Sequence, residues 1–231
     1  MVLPAEGLFE AEAWIFDLDN TLYPASCNLF AQIDVRMRDF IADYLDLDPD
    51  EAYRVQKQYF SEYGTTLRGL MHRHDMDPGP FLDHVHDIDL SPVLSNPELE
   101  QALATLPGRK LIFTNADSGH AHRVMEKLGV RHHFDEIFDI IGADYVPKPE
   151  PQIYHMLVDN YGLDPAKSVM VEDIARNLEP AAALGMTTIW VKTDTRWGTE
   201  GFDKAFVHHE VDDLAGWLIG VARRGGTRPQ G

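Results

Sequence analysis

The stretch Trp14-Ile15-Phe16-Asp17-Leu18-Asp19-Asn20-Thr21-Leu22 decides the reading of this chain. An apolar run of bulky side chains reads as a buried strand. It then delivers two carboxylates two residues apart, followed by a threonine. Along an extended chain residues i and i+2 share a face, so Asp17 and Asp19 are expected to project together while Leu18 points away. Two like charges that close are costly unless a cation lies between them or one holds a proton. A strand ending this way is read as built for metal-assisted chemistry; the plainer alternative is a strand running into an Asx-type turn.

The rest of the chain extends the strand into a fold. From Arg109 strand and helix patterns alternate. Strand Leu111–Phe113 leads to helix Ser118–Leu128, closed by Gly129, and strand Ile137–Ile141 to helix Pro151–Tyr161, closed by Gly162. Strand Val169–Val171 leads to helix Ala175–Leu184, closed by Gly185, then strand Thr187–Val191. A short strand at Ala205–Val207 and a helix at Val211–Val221 follow. Alternating β and α with short glycine-closed joints predicts an α/β fold, a doubly wound parallel sheet. Between Cys27 and Asn96 the pattern is helical throughout: Leu29 to Leu45, Pro49 to a stop at Gly64, Leu67–Arg73 and Pro80–Val85. Joints in α/β units usually run about 2–6 residues, so this stretch reads as an inserted all-helical domain. The expected division is a core of residues 1–26 and 97–222, an insertion of 27–96, and an Arg/Gly/Pro-rich tail of 223–231.

Composition bounds the partners. A chain of 231 residues with 44% hydrophobic and 25% charged residues has ample material for a core. A formal charge of −18 argues against nucleic acid or an anionic membrane as partner, and makes local cations essential if the ligand is an anion. With Cys27 as the only cysteine no internal disulfide forms, and a reducing cytoplasm is expected. Met1 to Glu12 has neither the basic nor the apolar region of a signal peptide, and no stretch has the length of a membrane span.

Ligands of doubly wound sheets bind beyond the carboxyl ends of the strands, where strand order reverses. Each strand expected to reach that edge hands over polar groups. Asp17 and Asp19 follow the first, Thr114-Asn115 the second, Lys148 the third within Val146-Pro147-Lys148-Pro149, and Glu172-Asp173 the fourth, with Asn177 one turn on. Singly these are a helix N-cap, a loop lysine and a turn; their common placement points to a site.

In this order the four groups resemble the motifs of the haloacid dehalogenase-like superfamily, across about Ala13 to Val191. The helical insertion is similar in position to that family's cap. Asp17-Leu18-Asp19-Asn20-Thr21-Leu22-Tyr23-Pro24, the stretch from Tyr63 to Leu70 and the run from Glu172 to Leu178 look most like the pyrimidine 5′-nucleotidase branch. The resemblance implies a Mg²⁺-dependent phosphomonoesterase acting on a small phosphorylated metabolite, best a nucleotide, as monomer or homodimer. It also implies that the Asp19 backbone carbonyl holds the metal, leaving its side chain free.

The residue types fit that chemistry. Asp17 suits the role of nucleophile and metal ligand, Asp19 that of general acid and then base. Asp173 is the second carboxylate ligand, with Glu172 and Asn177 acting through metal-bound water; hard oxygen ligands and a phosphate select Mg²⁺. Thr114 and Asn115 offer donors at an expected helix start, and Lys148 a mobile positive charge between two prolines. In the insertion, Thr65 and Arg68 are candidates for a sugar or base edge, as is Asn28 by the hinge; for Thr65 and Arg68 an N-cap and a solvated guanidinium are the competing reading.

Other readings are a sugar-phosphate or phosphoglycolate phosphatase, a phosphomutase, or a silent regulatory module. The resemblance disfavours a haloacid dehalogenase, since those relatives lack the acid supplied here by Asp19. The pairs His72/His74, His84/His86 and His120/His122 are spaced i, i+2, share no helical face and read as surface or cap histidines. Arg196-Trp197-Gly198 reads as a surface loop. No glycine-rich nucleoside-triphosphate loop is present.

Overall fold

The computed structural model describes residues 7–195 and 197–225; Arg196, the first six residues and residues 226–231 of the expected tail lie outside that set. Strand β1 (Ala13–Phe16) is buried along its whole length. It lies between β2 (Arg109–Phe113) and β4 (Ser168–Glu172), and both pair with it in parallel. With β3 (Glu136–Phe138), β5 (Thr187–Val191) and β6 (His209–Val211) the described strands form one parallel sheet in the order β3-β2-β1-β4-β5-β6. The order reverses between β1 and β4, and the crevice opens there.

Strand alternation feeds a core on each face of the sheet. Trp14, Phe16, Ile112, Val169 and Val171 point to one face, toward α5 (Pro97–Thr105), α6 (Ser118–Leu128) and α9 (Leu214–Gly225). Ala13, Ile15, Leu111, Phe113 and Met170 point to the other, toward α7 (Pro151–Tyr161) and α8 (Glu179–Leu184).

The insertion consists of α1 (Leu29–Leu45), α2 (Pro49–Tyr63), α3 (Thr66–His74) and α4 (Pro78–His86). Local signals set these bounds. Asp48 caps α2 by accepting from the Asp50 and Glu51 amides, Pro49 occupies the first turn, and Gly64 ends it at φ 83°. The four helices share a core of Ile33, Ile41, Tyr59, Leu67, Leu70, Phe81 and Val85, to which Ile140 from beyond β3 adds a contact.

Several expected elements move. Ala205–Val207 is a turn, and the last strand lies at His209–Val211, paired with β5. The helix expected from Ala175 begins as a 3₁₀ turn, Ala175–Leu178, before α8. Strand β3 stops at Phe138 because Asp139 turns the chain, accepting from the Gly142 and Ser118 amides. Helix α5 was unforeseen, although Asn96 caps it and Pro97 opens it. Helix α9 runs on through Arg223 and Arg224, into the expected tail.

Candidate active site

The chain beyond β1 stays tied to the sheet for one residue, the Asp17 amide donating to the Val171 carbonyl at 2.9 Å. This fixes the Asp17 carboxylate over the crevice between β1 and β4. Each of its oxygens has one donor: Lys148 Nζ reaches Oδ1 at 2.7 Å and Thr21 Oγ1 reaches Oδ2 at 2.9 Å. Thr21 was quoted in the motif without a role; it orients the carboxylate.

Lys148 is not the mobile charge expected. Its side chain is 1% exposed, and its three donors go to Asp17, to Glu172 Oε2 at 2.7 Å and to the Phe113 carbonyl at 2.9 Å. An ammonium buried among carboxylates gains more from pairing than from freedom. Burial opposes its charge, but Asp17 and Glu172 outweigh that and raise its pKa.

Asp17, Glu172 and Asp173 offer carboxylate oxygens within 4.8 Å of one another, all buried. Burial raises the Asp17 carboxyl to about 7, with Glu172 adding to the rise and Lys148 opposing it. Burial also raises Asp173, to about 10, reinforced by Glu172 and Asp17. Asp173 Oδ2 is buried with no hydrogen-bond partner. Buried polar atoms are rarely orphaned, and a hard divalent cation between these oxygens would satisfy it and neutralise the cluster. The donor set therefore fits Mg²⁺, with Asp17 and Asp173 as side-chain ligands. The Asp173 loop is braced at its backbone: Trp190 Nε1 donates to the Asp173 carbonyl at 2.8 Å, and the Ala175 amide to the Gly198 carbonyl at 3.0 Å.

Thr114 and Asn115 stand at the end of β2 but not at a helix start; α6 begins at Ser118, capped by Asp117. Thr114 is buried and its Oγ1 accepts from the Ala116 amide, whereas Asn115 is exposed and its Oδ1 accepts from the Lys148 amide at 2.8 Å. Glu172 pairs with Lys148 and takes the Ile174 amide on Oε1. Asn177 is buried, its carbonyl receiving the Tyr154 hydroxyl at 2.6 Å.

The carboxylate of Asp19 stands outside the buried trio. Its Oδ1 receives the Tyr23 hydroxyl at 2.6 Å and pairs with His120 Nε2 at 2.9 Å. Burial alone would raise the Asp19 carboxyl, but the charge and hydrogen bond of His120, with the Tyr23 bond, hold it below the usual carboxylate range. This corrects the reading of the histidine pairs. His120 is fully buried and His86 nearly so, with His86 Nδ1 bonded to Asp117 Oδ2. His-x-His spacing carries no such signal; only the packing of α6 against the β1 loop reveals it.

The candidates in the insertion serve mainly local structure. Thr65 caps α3, its Oγ1 accepting from the Arg68 amide. Arg68 reaches across to Glu150 of the core at 3.5 Å. Asn28 is exposed, in a left-handed conformation before α1, and does not cap that helix. Beyond β5, Trp197 is partly exposed, 6.3 Å from the ring of Phe30 in the insertion.

A parallel doubly wound sheet with a helical insertion after its first strand, and carboxylates converging from β1 and β4 on a buried lysine, defines a hydrolase core of one architecture. The chain belongs to the haloacid dehalogenase-like hydrolases, whose family model matches residues 11–185. It is 28% identical over 193 residues to phosphate metabolism protein 8 of Saccharomyces cerevisiae, covering 76% of this chain and 60% of that protein. The chain thus spans less than two thirds of the yeast protein's length. To the glyceraldehyde 3-phosphate phosphatase of Methanopyrus kandleri it is 28% identical over 197 residues, covering 78% of this chain and 84% of the other. Among solved structures, the haloacid dehalogenase-like phosphatase from Thermococcus onnurineus shares the fold at a TM-score of 0.58 and 19% identity, over 92% of this chain and 96% of that one. Among the described residues no helix is long and apolar enough to cross a membrane.

Proposed function

We propose that the protein is a Mg²⁺-dependent phosphomonoesterase working through an aspartyl-phosphate on Asp17. The carrying observation is the buried carboxylate trio with its orphaned Asp173 oxygen, set against a nucleophile whose two oxygens are each held by one donor. Asp17 and Asp173 would hold the metal, which when bound would supply positive charge to offset that of the phosphoryl group. An Asp17 oxygen attacks phosphorus; the new P–O bond forms as the ester P–O bond breaks. Asp19 gives its proton to the departing alkoxide. Ionised, Asp19 then takes a proton from the water that attacks the aspartyl-phosphate, which releases inorganic phosphate and restores Asp17.

Asp19 is held low in the free protein, yet a phosphate dianion arriving beside it favours the protonated form. Since the donors of Lys148 are all engaged, it contributes charge to phosphate binding rather than a free N–H. Thr114 and Asn115 complete the phosphate end. The acid at position 19 favours ester hydrolysis over dehalogenation, because a halide leaves without a proton whereas an alkoxide needs one.

For the substrate we propose a pyrimidine nucleoside 5′-monophosphate, its leaving nucleoside selected beneath the helical insertion acting as a cap. Asn28 at the hinge, Thr65 and Arg68 are the proposed contacts, which requires Arg68 to leave Glu150. A triose or sugar phosphate is the second reading, favoured by the name of the Methanopyrus relative and by the structural use of Thr65.

The test is p-nitrophenyl phosphate with and without EDTA. Release that needs a divalent metal and disappears in Asp17→Asn supports the esterase; no turnover of any phosphate supports a silent module. A panel of UMP, CMP, dUMP, AMP, phosphoglycolate, glyceraldehyde 3-phosphate and glucose phosphates then separates the leaving groups. Preference for UMP and CMP is expected; equal turnover of all would defeat the nucleotide reading.

A further inference from the structure

One buried polar network beside the site has no part in the chemistry above. Both described contacts to the Asp19 carboxylate, from the Tyr23 hydroxyl and from His120 Nε2, fall on Oδ1. His120 sits in the first turn of α6, fully buried, and its backbone amide donates to Asp117 Oδ1 at 2.8 Å. The other oxygen of Asp117 takes His86 Nδ1, and the rings of His86 and His120 stack at 4.6 Å between centroids, 25° apart. Burial resists ionisation of Asp117, but the His86 bond and charge hold its carboxyl at about 2. His86 is the last residue of α4, where the insertion returns toward the core, and its carbonyl receives Arg123 Nη2 at 3.0 Å.

We propose that His120 is a positioning residue for Asp19, and that the His86–Asp117 pair braces it. The inference rests on the phosphomonoesterase reading. Asp19 must present one oxygen to the leaving alkoxide and later to water. Donors gathered on Oδ1 leave Oδ2 as the oxygen that exchanges the proton, and they stop the carboxylate from rotating. A shift of about 1 Å in such a group can cost on the order of 10²-fold in rate. Because His86 ends the insertion's last helix while its partner Asp117 caps the core helix that carries His120, the same contacts seat the insertion and aim the acid. A histidine that merely filled the core would not need Nε2 directed at that carboxylate.

The test separates aim from stability through the leaving group. The ratio kcat/KM is measured for phenyl phosphate, whose phenoxide needs a proton, and for 2,4-dinitrophenyl phosphate, whose phenoxide does not. His120→Leu is expected to lose at least about tenfold on phenyl phosphate, part of the roughly 10²–10⁴-fold that a well-placed general acid contributes, with little loss on the dinitrophenyl ester. His120→Gln, which keeps a donor near the Nε2 position, is expected to recover most of it. His86→Phe keeps the ring stack but removes the bond to Asp117, and is expected to show the same selectivity more weakly.

Equal losses on both esters, or no difference between Leu and Gln, would overturn the role of His120. A His86→Phe variant with wild-type kinetics would overturn the brace. Should His120→Leu not fold, His120→Asn replaces it, because its shorter amide falls short of Asp19 and should show the same split against Gln. Wild-type protein inert toward both esters would instead remove the phosphatase reading, and this inference with it.

Discussion

At Lys148 three donors meet two buried carboxylates and a carbonyl, and the balance of charge around that one nitrogen governs the site. Lys148→Met leaves Asp17 and Glu172 buried without a counter-ion. Breaking a buried pair typically costs about 3–5 kcal/mol, so this variant is expected to lose thermal stability and all turnover. Asp17, already raised to about 7 by burial and by Glu172, loses in this variant the lysine that holds it down, so the folded state keeps a proton the unfolded chain has shed. The deficit should therefore be small near pH 4 and grow toward pH 8; a deficit independent of pH would contradict it. Asp173→Asn is expected to do the opposite. Asp173, raised to about 10, destabilises the metal-free protein as pH climbs above its unfolded value near 4. The amide removes that penalty, so Asp173→Asn should melt higher than wild type at pH 8 without metal, yet show no phosphatase activity. Calorimetric scans of both variants at the two pH values settle the signs. The groups involved were legible in the sequence because each follows a strand at its carboxyl end. His120 was not, because an His-x-His pair on a helix says nothing about which ring the neighbouring loop will cover. Nor could spacing show that Lys148 is locked rather than mobile, since that depends on Glu172 arriving from another strand.

Elements follow the same division between local and tertiary information. Helix α2 was legible almost to the residue because Asp48, Pro49 and Gly64 mark its ends chemically. Strand β1 was legible because it is central and buried on both faces. Strand β6 was misplaced because it is a short edge strand of His209, Glu210 and Val211, whose pairing with β5 overrides a polar sequence. Helix α5 carries its own cap in Asn96 and a first-turn proline in Pro97, signals that fall at the boundary expected between insertion and core. The pairing of α2 with α3 is a purely tertiary feature and makes a prediction of its own. A Cβ on Gly69 would lie 2.4 Å from Tyr59 Cβ, an atom fixed to its backbone. Alanine in a helix gains about 1 kcal/mol over glycine, whereas overpacking of this kind costs roughly 1–3 kcal/mol and forces the helices apart. Gly69→Ala is therefore expected to lower the melting temperature despite its better helix propensity. An unchanged or higher midpoint would mean that α2 and α3 can separate freely.

For the molecule as a whole, the charge of −18 sets the problem that the site must solve. A chain so acidic gathers three of its carboxylates in its centre, and one lysine offsets only part of them. Without metal, protons do the rest. Asp17 is raised to about 7 and Asp173 to about 10, both above their unfolded values near 4, so folding binds protons and stability falls as pH rises through that window. Mg²⁺ competes for the same oxygens. Near pH 5 the carboxyls already hold protons that a cation must displace; near pH 8 part of that cost is gone and the repulsion it would relieve is larger. A ligand that binds only the folded state adds about 2.7 kcal/mol at a concentration a hundred times its Kd. The rise in melting temperature with Mg²⁺ is therefore expected to be clearly larger at pH 8 than at pH 5, and EDTA should abolish it at both. Asp173→Asn, which lacks the orphaned oxygen, should show no such rise at either pH. A Mg²⁺ shift of equal size at the two pH values would mean that the ion binds elsewhere on this acidic surface, and the buried trio would lose its claim to the metal.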